Sequence, residues 1–351
     1  MRATPDLSFG ELTPEFMLDA LEAAGLRPDG RMLQLNSFEN RVLQVHLEDG
    51  RAAVAKFYRP GRWTDAQILE EHAFAAELAA AEVPVVAPWL LRDETGQKST
   101  LVHVAGQRLA VTPRQGGRGP ELEDPDVLRW IGRLLARLHE VGRRQPFRHR
   151  VAWHSAEPAR AARDWLLAHD ALPPEIAPAW AEVTAQCIAM IEAAFEALPQ
   201  LQLCRLHGDC HPGNILWTPD AGPHFVDLDD AVTGPAVQDL WMLLSGDADQ
   251  ARQQLRALLE GYEQIADFDD RELRLVEPLR TLRMIHYSAW LARRWGDPAF
   301  PLAFPWFGTA NYWMDQVSLL REQLRAMQPA DARPQAPRLD DEVDFDGDGF
   351  A

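Results

Sequence analysis

The stretch Leu206-His207-Gly208-Asp209-Cys210-His211-Pro212-Gly213-Asn214-Ile215-Leu216-Trp217, followed by Phe225-Val226-Asp227-Leu228-Asp229-Asp230, constrains this chain more than any other. An apolar run from Leu201 to Leu206 reads as a strand and leads into a turn rich in Gly and Pro. The turn holds Asp209 and, five residues later, Asn214; a second apolar run ends on Asp227. Two short strands can hold these three side chains at one edge, giving one base and two oxygen ligands for a hard cation. Mg²⁺ takes one or two protein carboxylates and completes its shell with water and phosphate oxygens. The Asp-x-x-x-x-Asn spacing is that of a phosphotransfer catalytic loop, where the Asp receives the acceptor's proton and the Asn holds metal. The sequence therefore predicts a phosphotransferase.

Other chemistry for the same residues is weaker. His207, Asp209 and His211 alternate as zinc ligands can, but Asn214 and the Asp227-Leu228-Asp229-Asp230 run then have nothing to do. Cys210 as a nucleophile has no local helper beyond His211. His207 is expected to bond backbone inside the loop, Asp229 to support the first metal or hold a second, and Asp239 to brace the loop or cap a helix.

Upstream, Thr13 to Gly25 reads as a helix with Thr13 as N-cap and Pro14 at the first position. Leu33 to Asn36, Val42 to Leu47 and Ala52 to Tyr58 read as strands, the last two joined at Asp49-Gly50. The link Asn36-Ser37-Phe38-Glu39-Asn40-Arg41 can cover phosphates with backbone N–H groups and the Ser37 hydroxyl, or can be an ordinary polar turn. Lys56 and Lys98 are the only lysines among 35 basic residues, and Lys56 lies in the apolar run Ala53-Val54-Ala55-Lys56-Phe57-Tyr58. An ammonium placed there can pair with phosphate. A helix over 64–80 presents Glu70 and Glu71; Glu71 is the preferred ion-pair partner for Lys56 and Glu70 the reserve.

Strands at Ser99 to Val104 and Arg108 to Thr112 precede a Gly/Pro cluster over 113–120, the best boundary in the chain. The expected division is an N-terminal lobe over 1–113, a helical lobe over 114–327 and an acidic tail of low hydrophobicity over 328–351. Helices are expected at 125–143, 157–169, 174–198, 235–244, 249–264, 270–294 and 309–327. The aromatic residues between 290 and 313 are expected in the core, with an acceptor groove as the other possibility. Asp344-Phe345-Asp346-Gly347-Asp348-Gly349 imitates a calcium loop but lacks the Glu required at its twelfth position.

The net charge of −18 repels nucleic acid and anionic membranes, so neither is expected as a partner. Three scattered cysteines fit neither a disulfide framework nor a metal knuckle. With no apolar leader and no run of about 18 apolar residues, the expected location is the cytoplasm.

The 36–42, 54–60, 206–217 and 225–244 segments resemble the stress response kinase A family, a bacterial group among the aminoglycoside-phosphotransferase-like kinases. The resemblance runs from about residue 10 to 327. It implies an α+β, bilobal protein-kinase-like fold, with an antiparallel sheet plus helix in the N-lobe and a larger, mainly helical C-lobe. It implies ATP with Mg²⁺ and serine/threonine protein kinase activity in the stress response. The expected partners are protein substrates, with the kinase itself as one candidate, and a monomer is expected. It assigns proton acceptance to Asp209, metal ligation to Asn214 and Asp227, phosphate contact to Ser37 and Lys56, and the helix acid to Glu71. The chain lacks the Gly-rich loop, Asp-Phe-Gly and Ala-Pro-Glu of eukaryotic-type kinases. Motif spacing leaves a small-molecule hydroxyl acceptor open, and a nucleotide-binding scaffold without catalysis is the remaining alternative.

Overall fold

The computed structural model describes residues 12–328, apart from Asn36 and Glu94. Helix α1, Pro14–Ala23, starts where Thr13 Oγ1 accepts the Phe16 N–H. It packs Met17 and Leu21 onto one face of a sheet built from β1 (Pro28–Gln34), β2 (Arg41–Leu47), β3 (Ala52–Phe57), β6 (Val102–Val104) and β7 (Gln107–Pro113). The strand order is β1-β2-β3-β7-β6 and every pairing is antiparallel. Alternation in β2 and β3 sends Val45, Ala55 and Phe57 into the core and places Lys56 on the opposite face.

Helix α2, Asp65–Ala80, opens with a capping box between Thr64 and Gln67. Its Phe74 and Leu78 are fully buried, in one cluster with Leu135 and Leu138 of α3 (Pro125–Gly142). Burial of that order stabilises by roughly 1.5–3 kcal/mol per side chain, so α2 is anchored to the helical lobe. A Cβ on Gly132 of α3 would lie 2.1 Å from the Leu258 carbonyl oxygen, so only glycine permits the approach of α7 (Ala248–Tyr262).

Two small two-stranded sheets carry the segment 204–234. Strands β8 (Cys204–Leu206) and β11 (Val232–Gly234) pair antiparallel, as do β9 (Ile215–Thr218) and β10 (Gly222–Phe225). The C-terminal core is made by α4 (Glu157–Ala168), α5 (Ala177–Glu196), α8 (Val276–Arg294) and α10 (Ala310–Met327), around buried Trp180, Phe300 and Trp313. The aromatic residues of 290–313 divide: Phe300, Phe307 and Trp313 are core, while Trp306 stays exposed.

Several boundaries differ from the sequence reading. Strand β1 starts at Pro28, because a register irregularity between Pro28 and Met32 lets a polar, exposed segment pair without apolar alternation. Only 204–206 of the apolar run 201–206 is strand. The expected strand 99–104 splits into β5 (Lys98–Ser99), paired with the unforeseen β4 (Leu91–Arg92), and β6. The expected helix 270–294 is a 3₁₀ turn, Asp270–Leu275, followed by α8. Pro278 has no N–H to return to the Arg274 carbonyl, so one continuous α-helix cannot run through both. A short α9, Ala299–Ala303, was not visible in the pattern. The calcium-loop imitation at 344–349 lies outside the described residues.

Candidate active site

Asp209 leaves β8 through Gly208, whose φ is +83° and whose added Cβ would lie 2.1 Å from the Asp230 carbonyl oxygen. Both constraints exclude a side chain there. The turn is held from behind by Asp239 on α6 (Val237–Trp241). Its Oδ2 accepts the His207 N–H at 2.8 Å and its Oδ1 the Gly208 N–H at 2.9 Å. The fully buried His139 on α3 meets Asp239 Oδ2 at 3.1 Å. Asp239 thus braces the loop, one of the two roles its position suggested.

His207 bonds backbone as expected, but outside its own loop: its buried ring donates from Nε2 to the Val226 carbonyl, just past β10, at 2.9 Å. His211 Nδ1 accepts the Gly213 N–H, so the two histidines are engaged with backbone rather than converging on a metal. Among the described residues no cluster of three or more His, Cys, Asp or Glu side chains could hold a metal. Cys210 is buried, and burial pushes its thiol well above the ordinary range, which removes it as a nucleophile.

The β9–β10 hairpin brings Asn214 and Asp227 together. Ile215 pairs with Phe225 at its open end, and the Val226 N–H donates to the Asn214 carbonyl at 3.0 Å. The Asn214 amide nitrogen donates to the Asp209 carbonyl at 2.9 Å, which leaves its side-chain oxygen as the outward acceptor. Asp227 adopts a left-handed backbone, φ 59° and ψ 64°, uncommon for a residue other than glycine and a recurrent feature of functional turns. An amide oxygen and a carboxylate side by side are a hard-oxygen donor pair, which fits a divalent cation that completes its shell with water and phosphate. Asn214 Nδ2 also lies 3.5 Å from Asp209 Oδ2, and Asp227 follows Val226, which bonds Asn214; Asp209 itself enters from β8 and not from the hairpin that carries the other two.

Lys56 reaches this centre from β3. Its Nζ lies 2.7 Å from Asp227 Oδ1 and 3.2 Å from Asp229 Oδ1. Burial alone would lower the ammonium's pKa, but the two carboxylates outweigh it and hold the pKa well above the usual lysine value. The two acids differ in access: the Asp227 side chain is 49% exposed and Asp229 only 6%. Asp229 is further bound by the Asn40 amide and by Arg62.

Glu71 is buried on α2 close enough to be felt by Lys56, yet Lys56 makes its ion pairs with Asp227 and Asp229. Burial drives the Glu71 carboxyl up to about 7, despite opposition from Lys56 and Arg150. Glu70 is used differently, its carboxylate accepting the backbone N–H groups of Arg148, His149 and Arg150. Ser37 Oγ accepts the Asn40 N–H at 3.3 Å and shapes the link between β1 and β2.

That link is tied down by residues that sequence reasoning did not single out. Glu39 meets Arg294 Nη2 and Trp290 Nε1, both on α8, each at 2.7 Å. Asn40 accepts the Arg59 N–H while its amide donates to Asp229, and Arg59 pairs with Asp297 at 2.8 Å. Arg150 donates to the carbonyls of Asp229 and Ala231 and lies over the Trp63 ring. Only the polar density of 36–41 hinted at this; the arginines carry no local mark among so many others.

A sheet lobe over a helical lobe, with such a loop and hairpin at the junction, is the build of the aminoglycoside-phosphotransferase-like kinases. A model of the phosphotransferase enzyme family matches residues 32–276. The chain belongs to that family, and within it to the stress response kinase A group. Stress response kinase A of Escherichia coli strain K12 is 45% identical over 325 residues, covering 92% of this chain and 95% of the relative. The serine/threonine protein kinase RdoA of Salmonella typhimurium strain LT2 is 44% identical over 324 residues, 91% of this chain and 95% of its own. Among solved structures, amicoumacin kinase hAmiN in complex with AMP-PNP, Ca²⁺ and Ami superposes with a TM-score of 0.67 at 18% identity, covering 89% and 94% of the two chains. The microcompartment-associated aminopropanol kinase gives 0.63 at 17% identity, covering 90% and 96%. The protein is thus a kinase by family. No described helix is long and apolar enough to cross a membrane.

Proposed function

We propose that this kinase is an ATP- and Mg²⁺-dependent serine/threonine protein kinase of the bacterial stress response. It would act as a cytoplasmic monomer on protein acceptors that include itself. The observation that carries the reading is the junction of Lys56, Asp227 and Asn214 beside Asp209, assembled from four separate elements. Asn214 and Asp227 would hold a divalent cation, which would supply positive charge to the phosphates. Lys56 would pair with a phosphate oxygen, and the Ser37 link would offer further phosphate contacts. Asp209 orients the incoming hydroxyl and takes its proton, while positioning and charge compensation do the remaining work in a loose transition state.

A protein acceptor is favoured by the 44% identical relative that bears the name of a serine/threonine protein kinase. Labelled ATP with Mg²⁺ and no added acceptor tests it. The expected result is phosphoserine or phosphothreonine on the protein, lost with EDTA and lost in Asp209→Asn. Label that appears only on an added amino alcohol or antibiotic would replace the protein acceptor with a small one. ATP binding with a cellular effect untouched by Asp209→Ala would instead establish a scaffold.

A further inference from the structure

The acceptor side of the proposed base carries a charge of unexpected sign. Helix α8 bears Arg280, Arg283, Arg293 and Arg294 against a single acid, Glu277, in a chain whose net charge is −18. Most of these cations have structural partners. Arg294 holds Glu39 at 2.7 Å, Arg293 lies 5.1 Å over Trp165, and Arg280 leans on Glu277 and the Trp241 ring. Arg283 alone points at the base: its Nη2 is 2.6 Å from Asp209 Oδ1. The contact is close but poorly aligned, because Oδ1 is shut off from solvent and still receives no well-directed hydrogen bond. One turn further along α8, Tyr287 is exposed and stacks on Trp290 at 14°, a flat surface beside the guanidinium.

An acceptor hydroxyl that uses Oδ1 must displace Arg283. The displaced guanidinium is one-third exposed and needs a new counter-charge. We propose that Arg283 is a specificity-determining residue that selects acceptors carrying a carboxylate or phosphate close to the reacting hydroxyl. The anion takes the guanidinium in a forked, charge-assisted pair and frees Asp209 in the same movement. A neutral or cationic neighbour offers no such exchange. It leaves the arginine on the base or strands it. This inference rests on the reading of Asp209 as proton acceptor and narrows its substrate class.

The test measures label transfer from ATP to two serine peptides of equal length, one with Glu and one with Lys on either side of the serine. The readout is the ratio of their kcat/KM values, which is independent of how active each variant is. The wild-type ratio should favour the Glu peptide about tenfold, or ~1.4 kcal/mol. Arg283→Lys should keep the preference, Arg283→Ala should level it, and Arg283→Glu should turn it toward the Lys peptide. A ratio that stays the same across these variants overturns the proposal and leaves Arg283 to serve the transferred phosphate or the fold. Should neither peptide be labelled while Asp209-dependent ATP hydrolysis persists, the protein-acceptor reading fails by itself. Glycerate and ethanolamine then replace the peptides. An anion preference that Arg283→Ala abolishes supports the role of Arg283, and a preference unmoved by it refutes that role.

Discussion

Lys56 on β3 and Asp227 at the exit of β10 are 171 residues apart in sequence and 2.7 Å apart in space. Each neutralises the other; in the proposed reaction the ammonium would serve a phosphate and the carboxylate a metal ion. Lys56→Ala and Asp227→Ala should each lower kcat/KM by about 10²–10³, the usual cost of deleting one preorganised charge. Lys98→Ala, at an exposed strand end, should leave it unchanged. Steady-state kinetics on the three variants decides the point, and equal effects from the two lysines would return Lys56 to a surface role.

Asp239 should matter to folding as much as to turnover. It is fully buried and serves His139, His207 and Gly208 at once. Removing one partner of a buried charged network costs about 3–5 kcal/mol, because the others stay desolvated. Urea unfolding of Asp239→Ala should show a loss of that size. A loss below about 1 kcal/mol, the typical net worth of one hydrogen bond, would mean that the loop holds itself.

Glu71 has a pH signature. Its carboxyl titrates at about 7 in the folded chain against an ordinary 4.5, so between those values the folded state binds more protons than the unfolded one. Its contribution to stability therefore falls as pH rises from 4.5 to about 7 and is flat above. Glu71→Gln removes that slope. The difference in Tm between wild type and variant should grow in favour of the variant across this window. Glu272, raised to the same region, is present in both proteins and cancels. Parallel Tm profiles would refute the assignment.

The link over the proposed nucleotide site is latched to the helical lobe through Glu39 and Arg294. A double-mutant cycle of Glu39→Ala and Arg294→Ala, read by urea unfolding, should give a coupling of about 1–3 kcal/mol for two largely buried partners. Each single variant should also weaken binding of a non-hydrolysable ATP analogue, since the freed link must be ordered again on binding. Additive single effects would show that the two side chains are merely neighbours.

Much of the site was legible because its residues sit in short, continuous signals. Asp209 and Asn214 share one turn, Asp227 ends a recognisable apolar run, and Lys56 stood out in a chain almost free of lysine. The start of α1 was equally local, announced by Thr13, as were the strands β2 and β3. Where structure depended on distant pairing, the pattern fell short. The polar strand β1, the two-residue β4 and the break before α8 each follow from partners or backbone constraints that apolar spacing does not record.

By itself, then, the sequence determined the loop at 206–217, the position of Asp227 and the two-lobed order of elements, since these rest on neighbouring residues and periodicities of a few positions. Tertiary structure alone decided the use of the common residue types. It sent Glu70 to the backbone of 148–150 and Glu71 into a buried site near Lys56, although the two acids are adjacent and chemically alike. It also chose Arg59, Arg62, Arg150, Arg283 and Arg294 from a crowd of arginines to bind particular acids and carbonyls far off in the chain. The physical reason is that charge pairing depends on distance and burial in three dimensions, and neither is written in the identity of a residue or of those beside it.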